Sequence, residues 1–233
     1  MGKLYGVSVG AGDPQFMTLK AVDILEKCRV IAVPRTMGES TMALSIVEKV
    51  VDLSSKRVIY MDFLMTNDSE SLERSYAELA ERLCALLEIE DVAFLTLGDI
   101  SVYSTFGYIG NRIKKEGYDV ELCAGVTSFC AAAAAIGESL CLGSEELHII
   151  PFNCSDIEKA LELCGTKVIM KTGRKSAELI DLINAKGLSS CTIVVSDCGL
   201  DSERIYTSLD DIDAEFGYFT IFIVTDREKF DEA

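Results

Sequence analysis

The sequence predicts an α/β protein of two domains, the first with a mostly parallel sheet and the second with a mixed sheet. In the first half of the 233 residues, short apolar runs alternate with segments of helical periodicity. This alternation is typical of a parallel sheet covered by helices. In the second half, the last apolar runs follow one another with less helix between them, which favours antiparallel pairing. The length predicts one or two domains, since about 100–200 residues per domain is usual.

The first half supplies five predicted strands, each short and apolar. The opening strand, residues 4–9, ends in a turn at residues 10–14, and residues 18–28 follow with apolar positions at helical spacing. The second strand, residues 30–33, is expected to stop at Pro34. Ser69 and Ser71 are candidate N-caps of the longest helix. The remaining predicted elements are strands at 57–60, 92–97 and 119–123 and helices at 42–51, 69–87 and 105–115.

The second half begins with an Ala-rich segment and then becomes richer in strands. The sequence changes texture near residues 117–126, and we place the boundary after residue 118. The prediction is therefore an N-terminal α/β domain of residues 1–118 and a C-terminal α/β domain of residues 119–233. The predicted elements of this half are helices at 129–136, 155–163 and 176–185 and strands at 147–150, 167–170, 192–196, 203–207 and 219–224.

The charge balance excludes several classes of partner. The chain has 22 Lys+Arg against 38 Asp+Glu, a net charge of −16, which argues against nucleic acid and anionic membranes because both reward a basic face.

No apolar stretch reaches the roughly 18 residues that span a bilayer. The nine cysteines contain no Cys-x-x-Cys pair, and reduced thiols are typical of a cytoplasmic protein. With His148 as its one histidine, the sequence predicts no metal site.

Three glycine-bearing turns follow predicted strands, at residues 10–13, 98–99 and 124–128. In α/β sheets, ligands bind beyond the carboxyl ends of strands, so these turns are candidates for a site. The first turn lacks the third glycine of a dinucleotide-binding loop and the Gly-Lys-Ser/Thr of a P-loop. The carboxylates of Asp13 and Asp99 suit a cationic or hydroxyl-bearing ligand better than a phosphate.

These turns carry a resemblance to the tetrapyrrole methylase family over essentially the whole chain. The matching segments are Gly10-Ala11-Gly12-Asp13-Pro14 with Met17-Thr18-Leu19, then Leu97-Gly98-Asp99, then Ala124-Gly125-Val126-Thr127-Ser128. Within the family, the runs Tyr60–Asp68 and Gly98–Thr105 resemble the C20-methyltransferases of precorrin-2 or its cobalt complex. The sequence departs from the family at Ala11, Leu64, Ile100 and Ala124, where proline is usual.

The resemblance implies an S-adenosylmethionine-dependent C-methyltransferase of cobalamin biosynthesis that releases S-adenosylhomocysteine. It implies a cofactor cleft between the two domains and a homodimer. The cofactor-binding residues that it implies are Leu97, Gly98, Asp99, Val102, Thr127, Ser128, Met170, Lys171 and Gly199. Asp99 and Tyr103 are its candidate catalytic residues, and its candidate contacts with the tetrapyrrole are Gly12, Asp13, Arg35, Met65, Thr66 and Tyr108.

Several alternatives stay open on the sequence. Cobalt would enter only as part of the substrate, and the unpaired cysteines favour the cobalt-bearing substrate over metal-free precorrin-2. A related methylase acting at another ring carbon is a second reading. A catalytically silent binding module, suggested by the missing motif prolines, is a third. A nucleotide-binding oxidoreductase is disfavoured by the missing third glycine of the first turn.

Overall fold

The computed structural model describes residues 1–36, 42–66, 68–212, 216–217 and 219–226. The chain divides into two compact units, Met1–Thr127 and Ser128–Ala233. Each unit contains a five-stranded sheet. Within the described ranges, no helix combines the length and the apolar character that crossing a membrane requires.

The first unit is a parallel sheet with helices on both faces. Its strands are β1 (Leu4–Ser8), β2 (Val30–Thr36), β3 (Arg57–Phe63), β4 (Val92–Thr96) and β5 (Val120–Cys123). They lie in the order β3-β2-β4-β1-β5, and every pairing is parallel. Its helices are α1 (Leu19–Lys27), α2 (Met42–Val47), α3 (Ser69–Leu87) and α4 (Phe106–Lys115).

Strand β4 is buried on both faces of this sheet. Ala93 and Leu95 join an apolar cluster that contains the buried faces of α1 and α2. Val92 and Phe94 join a second cluster, which contains the buried faces of α3 and α4. Because successive side chains of a strand point to opposite faces, a strand covered on both sides has a continuous apolar sequence. The continuous apolar run at residues 92–97 is the sequence feature that predicted this strand.

The second unit contains the mixed sheet that the sequence predicted. Strands β7 and β8 both pair antiparallel with β10, so they run in the same direction, and β6 is parallel to β7. The sheet order is β6-β7-β10-β8-β9. Its strands are β6 (Leu147–Pro151), β7 (Thr166–Met170), β8 (Thr192–Ser196), β9 (Arg204–Tyr206) and β10 (Thr220–Val224). Its helices are α5 (Ser128–Ala135), α6 (Ile157–Leu161) and α7 (Ser176–Ala185). The predicted fold class, two α/β domains with one parallel and one mixed sheet, is confirmed.

The predicted stop of the second strand at Pro34 is wrong. Strand β2 continues to Thr36, with Pro34 opposite Met61 of β3. Its pairing with β4 ends at Ala32. Beyond that residue β2 has a ladder partner on one side, where a residue without an N–H is tolerated.

The predicted N-caps of α3 are also wrong, because the cap is Asp68. The Asp68 carboxylate accepts a hydrogen bond from the backbone N–H of Ser71 at 3.0 Å. Ser69 is the first helical residue. A carboxylate at this position also interacts favourably with the positive end of the helix dipole.

Strand β5 belongs to the sheet of the first unit. It pairs with β1 from Leu4↔Val120 to Val7↔Cys123. The sequence-based boundary after residue 118 would separate β5 from the sheet to which it is hydrogen-bonded. The first compact unit ends later, at Thr127.

Candidate active site

The three glycine-bearing turns follow β1, β4 and β5, which are neighbours in the first sheet. Two of the turns are joined by a pair of backbone hydrogen bonds. Gly98 N donates to the Gly10 carbonyl at 2.7 Å, and Gly10 N donates to the Gly98 carbonyl at 3.2 Å. These bonds connect the carboxyl ends of β1 and β4, and the turns lie at strand ends as the sequence predicted.

The Asp99 carboxylate joins the second turn to the third. Its Oδ2 accepts a hydrogen bond from Gly125 N at 2.6 Å. Its Oδ1 accepts from Ser101 N at 2.8 Å and also from the Ser101 hydroxyl. The side chain is buried. Asp99 therefore connects the second and third turns through donors on both of them.

These donors decide the protonation state of Asp99. Burial raises the pKa of a carboxyl group, but the hydrogen bonds from Gly125 and Ser101 outweigh it and hold the pKa of Asp99 below its ordinary value. A carboxylate with a lowered pKa and occupied lone pairs is a weak general base. The geometry thus favours a positioning role for Asp99 over proton abstraction.

Ser8, at the end of β1, provides a further link to the second turn. Its buried hydroxyl oxygen accepts a hydrogen bond from Ile100 N at 2.8 Å. Gly125 packs against the same residue, because a Cβ at Gly125 would lie 2.4 Å from Ser8 Cβ. No side chain fits at Gly125 without moving these turns.

Gly98 leaves room beside the turn. Its φ of +71° lies in the left-handed region, which favours glycine. A Cβ at this position would meet no heavy atom within 4 Å. The turn therefore combines a fixed backbone with an open space next to it, which a ligand at the carboxyl edge requires.

The other predicted residues of the second turn lie beside Gly98. Leu97 and Val102 are half-buried, and Val102 N donates to the Asp99 carbonyl at 3.2 Å. Tyr103 is 42% exposed and has a φ of +51°. A tyrosine in the left-handed region costs about 1–2 kcal/mol, and such strain is concentrated at functional sites.

In the first turn, Gly12 is buried with a φ of +96°. The Asp13 carboxylate accepts a hydrogen bond from Gln15 N at 2.8 Å and caps the short helical turn Pro14–Phe16. Asp13 thus has a local structural role in addition to the predicted ligand contact.

The predicted tetrapyrrole contacts of β3 and α4 are surface residues. Met65 is 76% exposed just after β3, and the neighbouring Thr66 hydroxyl accepts a hydrogen bond from Asp68 N at 3.2 Å. The Tyr108 ring is 57% exposed and stacks on Tyr76 with ring centroids 5.2 Å apart. Arg35 lies near the carboxyl end of β2, where its Nε donates to Asp62 Oδ1 at 2.6 Å.

Thr127 and Ser128, the candidate hydroxyl donors of the third turn, are half-buried. Thr127 is the last residue of the first unit, and Ser128 is the first residue of α5. They therefore lie at the end of the turn that Asp99 holds through Gly125, where it joins α5.

In the second unit, the predicted residues lie at the carboxyl ends of two strands of the same direction. Met170 ends β7, and Lys171 follows it with a φ of +60°. Burial lowers the pKa of the Lys171 ammonium group. Gly199, beyond the end of β8, has a φ of +78°, and its N–H donates to the Glu203 carboxylate at 2.7 Å.

A further candidate, not chosen from the sequence, is Asp197, the residue directly after β8. Its φ is +53°, and its carboxylate accepts a hydrogen bond from the Ser202 hydroxyl at 3.0 Å. Its place at a strand end, two residues before Gly199, is the signal that was available in the sequence. Among the described residues, no group of three or more His, Cys, Asp and Glu side chains is arranged to hold a metal ion.

Comparisons with known proteins identify the family to which this chain belongs. The family model for Tetrapyrrole (Corrin/Porphyrin) Methylases matches residues 3–213, so the chain belongs to that family. The Methanocaldococcus jannaschii protein named "Probable cobalt-precorrin-2 C(20)-methyltransferase" is 37% identical over 76% of this chain and 75% of its own length. The Salmonella typhimurium "Cobalt-precorrin-2 C(20)-methyltransferase" is 30% identical over 99% of both chains.

A solved structure extends the likeness to the fold. It is the uroporphyrin-III C-methyl transferase from Thermus thermophilus, complexed with S-adenyl homocysteine. Its TM-score is 0.68 at 20% sequence identity, and the likeness covers 97% of this chain and 98% of the other.

Proposed function

We propose that this protein transfers a methyl group from S-adenosylmethionine to C20 of cobalt-precorrin-2 or cobalt-factor II in cobalamin biosynthesis. The observation that carries the proposal is the likeness, over most of the chain, to two relatives named for this reaction. The family membership and the edge of three connected turns agree with it. The released product is S-adenosylhomocysteine.

The residues of the second turn fit the cofactor. The open space beside Gly98 gives it room, and the Asp99 carboxylate contributes negative charge near a cofactor that carries a sulfonium and an ammonium group. We assign cofactor contacts to Leu97, Gly98, Asp99, Val102, Thr127 and Ser128, and in the second unit to Met170, Lys171 and Gly199.

The bound cofactor supplies an activated methyl group, so the protein needs to align the reactants and exclude water. Asp99 contributes by fixing the second and third turns relative to each other. Tyr103, strained and partly exposed beside them, is our candidate contact with the reacting carbon. C20 then loses a proton, and we assign its removal to solvent after the transfer is complete, because the lowered pKa of Asp99 makes it a weak base.

We place the tetrapyrrole against Gly12 and Asp13 of the first turn, Arg35 of β2, Met65 and Thr66 after β3, and Tyr108 of α4. This set supplies one cation and exposed apolar surface for a ring that carries many carboxylates. Cobalt enters as part of the substrate, and the names of both relatives support the cobalt-bearing form.

The function is tested by incubating the purified protein with methyl-labelled S-adenosylmethionine and either precorrin-2 or its cobalt complex. NMR then locates the label. We expect label at C20, with faster transfer to the cobalt complex. Label at another ring carbon would instead identify the related methylase, and cofactor binding without transfer would identify the silent module.

We also propose that the enzyme is a cytoplasmic homodimer, as the family resemblance implies for the assembly and the nine free cysteines suggest for the compartment. Light scattering of the purified protein measures its mass against the 25.4 kDa of one chain. A mass of one chain at assay concentration would contradict the dimer.

A further inference from the structure

Strands β2 and β3 extend together beyond the pairing with β4. Strand β2 pairs with β4 only through Ala32, whereas it pairs with β3 through Thr36. The last residues of β2 and β3 therefore form a two-stranded extension at the carboxyl edge of the sheet. This is the edge at which parallel sheets bind their ligands.

Three side chains form one cluster on this extension. Arg35 of β2 is directly opposite Asp62 of β3, and its Nε donates to Asp62 Oδ1 at 2.6 Å. The Arg35 guanidinium carbon is 4.9 Å from the centroid of the Tyr60 ring. Tyr60 and Asp62 are two residues apart on one strand, so both side chains are on the same face as Arg35.

Stability does not account for this arrangement. The side chains of Arg35 and Asp62 are 42% and 50% exposed, and Tyr60 is 40% exposed. Ion pairs with this exposure contribute little to folding because water and salt screen them. The contacts do restrict the guanidinium, since a carboxylate holds one edge of its plane and an aromatic ring lies against it.

We propose that Arg35 binds a carboxylate of the tetrapyrrole substrate and that Tyr60 and Asp62 are positioning residues that hold its guanidinium ready. This inference rests on the proposed function, which supplies a substrate with many carboxylates. Asp62 engages Nε, whereas an end-on carboxylate pairs with the two terminal nitrogens. The Tyr60 ring, 4.9 Å from the guanidinium carbon, restricts the movement of the group while that second pairing forms.

The Arg35 contact is tested by Arg35→Lys, which keeps the charge but loses the planar fork. The Michaelis constant for the cobalt tetrapyrrole should rise about 10- to 100-fold, as expected for loss of a charge-assisted bidentate contact. The kcat and the Michaelis constant for S-adenosylmethionine should stay near wild type. The control is Arg74→Lys, which alters an exposed Arg–Glu pair on α3 and should leave all three constants unchanged.

The positioning role of Asp62 is tested by two substitutions. Asp62→Ala removes the acceptor for Arg35 Nε and should raise the Michaelis constant for the tetrapyrrole about 3- to 10-fold. Asp62→Asn keeps an acceptor oxygen and removes a negative charge that repels the substrate, so its Michaelis constant should be at or below wild type. In an Arg35→Lys background, Asp62→Ala should add no further loss, because Asp62 acts through Arg35.

Tyr60 is tested in the same way. Tyr60→Leu should raise the Michaelis constant for the tetrapyrrole, and Tyr60→Phe, which keeps the ring, should restore it. Equal constants for Tyr60→Leu and wild type would remove Tyr60 from the positioning role.

Equilibrium binding separates this inference from the proposed function. The dissociation constant of the cobalt tetrapyrrole is measured by its absorbance change, without turnover. Across the variants it should rise in the same order as the Michaelis constant for the tetrapyrrole. Wild-type affinity and turnover in Arg35→Lys would overturn the inference and leave the proposed function standing. An inactive wild-type enzyme whose tetrapyrrole affinity still depends on Arg35 would reject the function and support the binding site.

Discussion

Asp99 shows how one side chain can hold two turns in a fixed relation. Its two oxygens accept hydrogen bonds from Ser101 in its own turn and from Gly125 in the next turn. Replacing it therefore changes the relation of the turns to each other as well as the charge of the edge. Binding of the cofactor and stability of the first unit should change together.

We expect Asp99→Asn to destabilise the protein by about 1–3 kcal/mol. Its amide group would turn an N–H donor toward one of the N–H groups from which Asp99 accepts a hydrogen bond, so that bond is lost. Urea unfolding measures this change, and calorimetry should show weaker binding of S-adenosylhomocysteine. The stability difference between wild type and variant should be present above the ordinary carboxyl pKa and vanish as pH falls through the lower pKa of folded Asp99. A pH-independent difference would contradict the role given to its ionised form.

Tyr103 offers a test of strain at a residue with a positive φ. Tyr103→Gly relieves about 1–2 kcal/mol of left-handed strain and costs about 0.5–1 kcal/mol of backbone entropy. Loss of the buried part of the ring offsets the relief of strain, so we expect the unfolding free energy to stay within about 1 kcal/mol of wild type, with a large loss of kcat. Full turnover in this variant would exclude Tyr103 from the site.

Individual residues also show what the sequence could reveal. The place of Asp99 after a buried strand made it a candidate, but its bond to Gly125 joins residues that are remote in the chain. The same holds for Arg35 and Asp62, whose contact depends on the register of β2 with β3. The positive φ of Asp197 depends on its surroundings in the folded chain, so the sequence did not reveal it.

At the scale of elements, long periodic patterns predicted helices and strands correctly. The boundaries predicted at Pro34 and at the N-terminus of α3 were wrong. Helix α3 has the predicted bounds because its apolar positions repeat at helical spacing over many turns. Strand β2 is longer than predicted because the effect of Pro34 depends on whether the strand has one neighbour or two. The meeting of the three turns was predictable, since the carboxyl ends of parallel strands share one edge.

The turn at Gly98 gives a prediction with a matched control. Gly98 and Gly117 both have a positive φ, and a Cβ would meet no heavy atom within 4 Å at either. Gly98→Ala and Gly117→Ala should therefore each cost about 1–2 kcal/mol of stability through backbone strain. Only Gly98→Ala fills the space assigned to the cofactor.

Titration calorimetry with S-adenosylhomocysteine distinguishes the two glycine variants. Gly98→Ala should weaken binding strongly, whereas Gly117→Ala, at the end of α4, should bind as wild type. Equal affinities in both variants would show that the space beside Gly98 is not used by the cofactor.

At the scale of the whole molecule, the chain carries a net charge of −16 and is proposed to bind a polyanion. Part of the surplus acid lies on the exposed face of α3, which includes Glu70, Glu73, Glu78 and Glu81. Such residues create a long-range field of the same sign as the substrate. Arg35 attracts the substrate at contact distance, whereas the acidic residues repel it at long range. The local and the long-range effects therefore have opposite signs.

These two effects predict an unusual salt dependence. The Debye length falls from about 30 Å at 0.01 M salt to about 8 Å at 0.15 M, so salt screens the distant acidic residues much more than a contact at Arg35. We therefore expect kcat/KM for the tetrapyrrole to rise between these concentrations, because repulsion during approach is reduced. For the cationic cofactor, kcat/KM should fall over the same range. A fall for the tetrapyrrole would instead mean that a cationic field outside Arg35 dominates its approach, and the charge of the whole chain would then be a poor guide to the site.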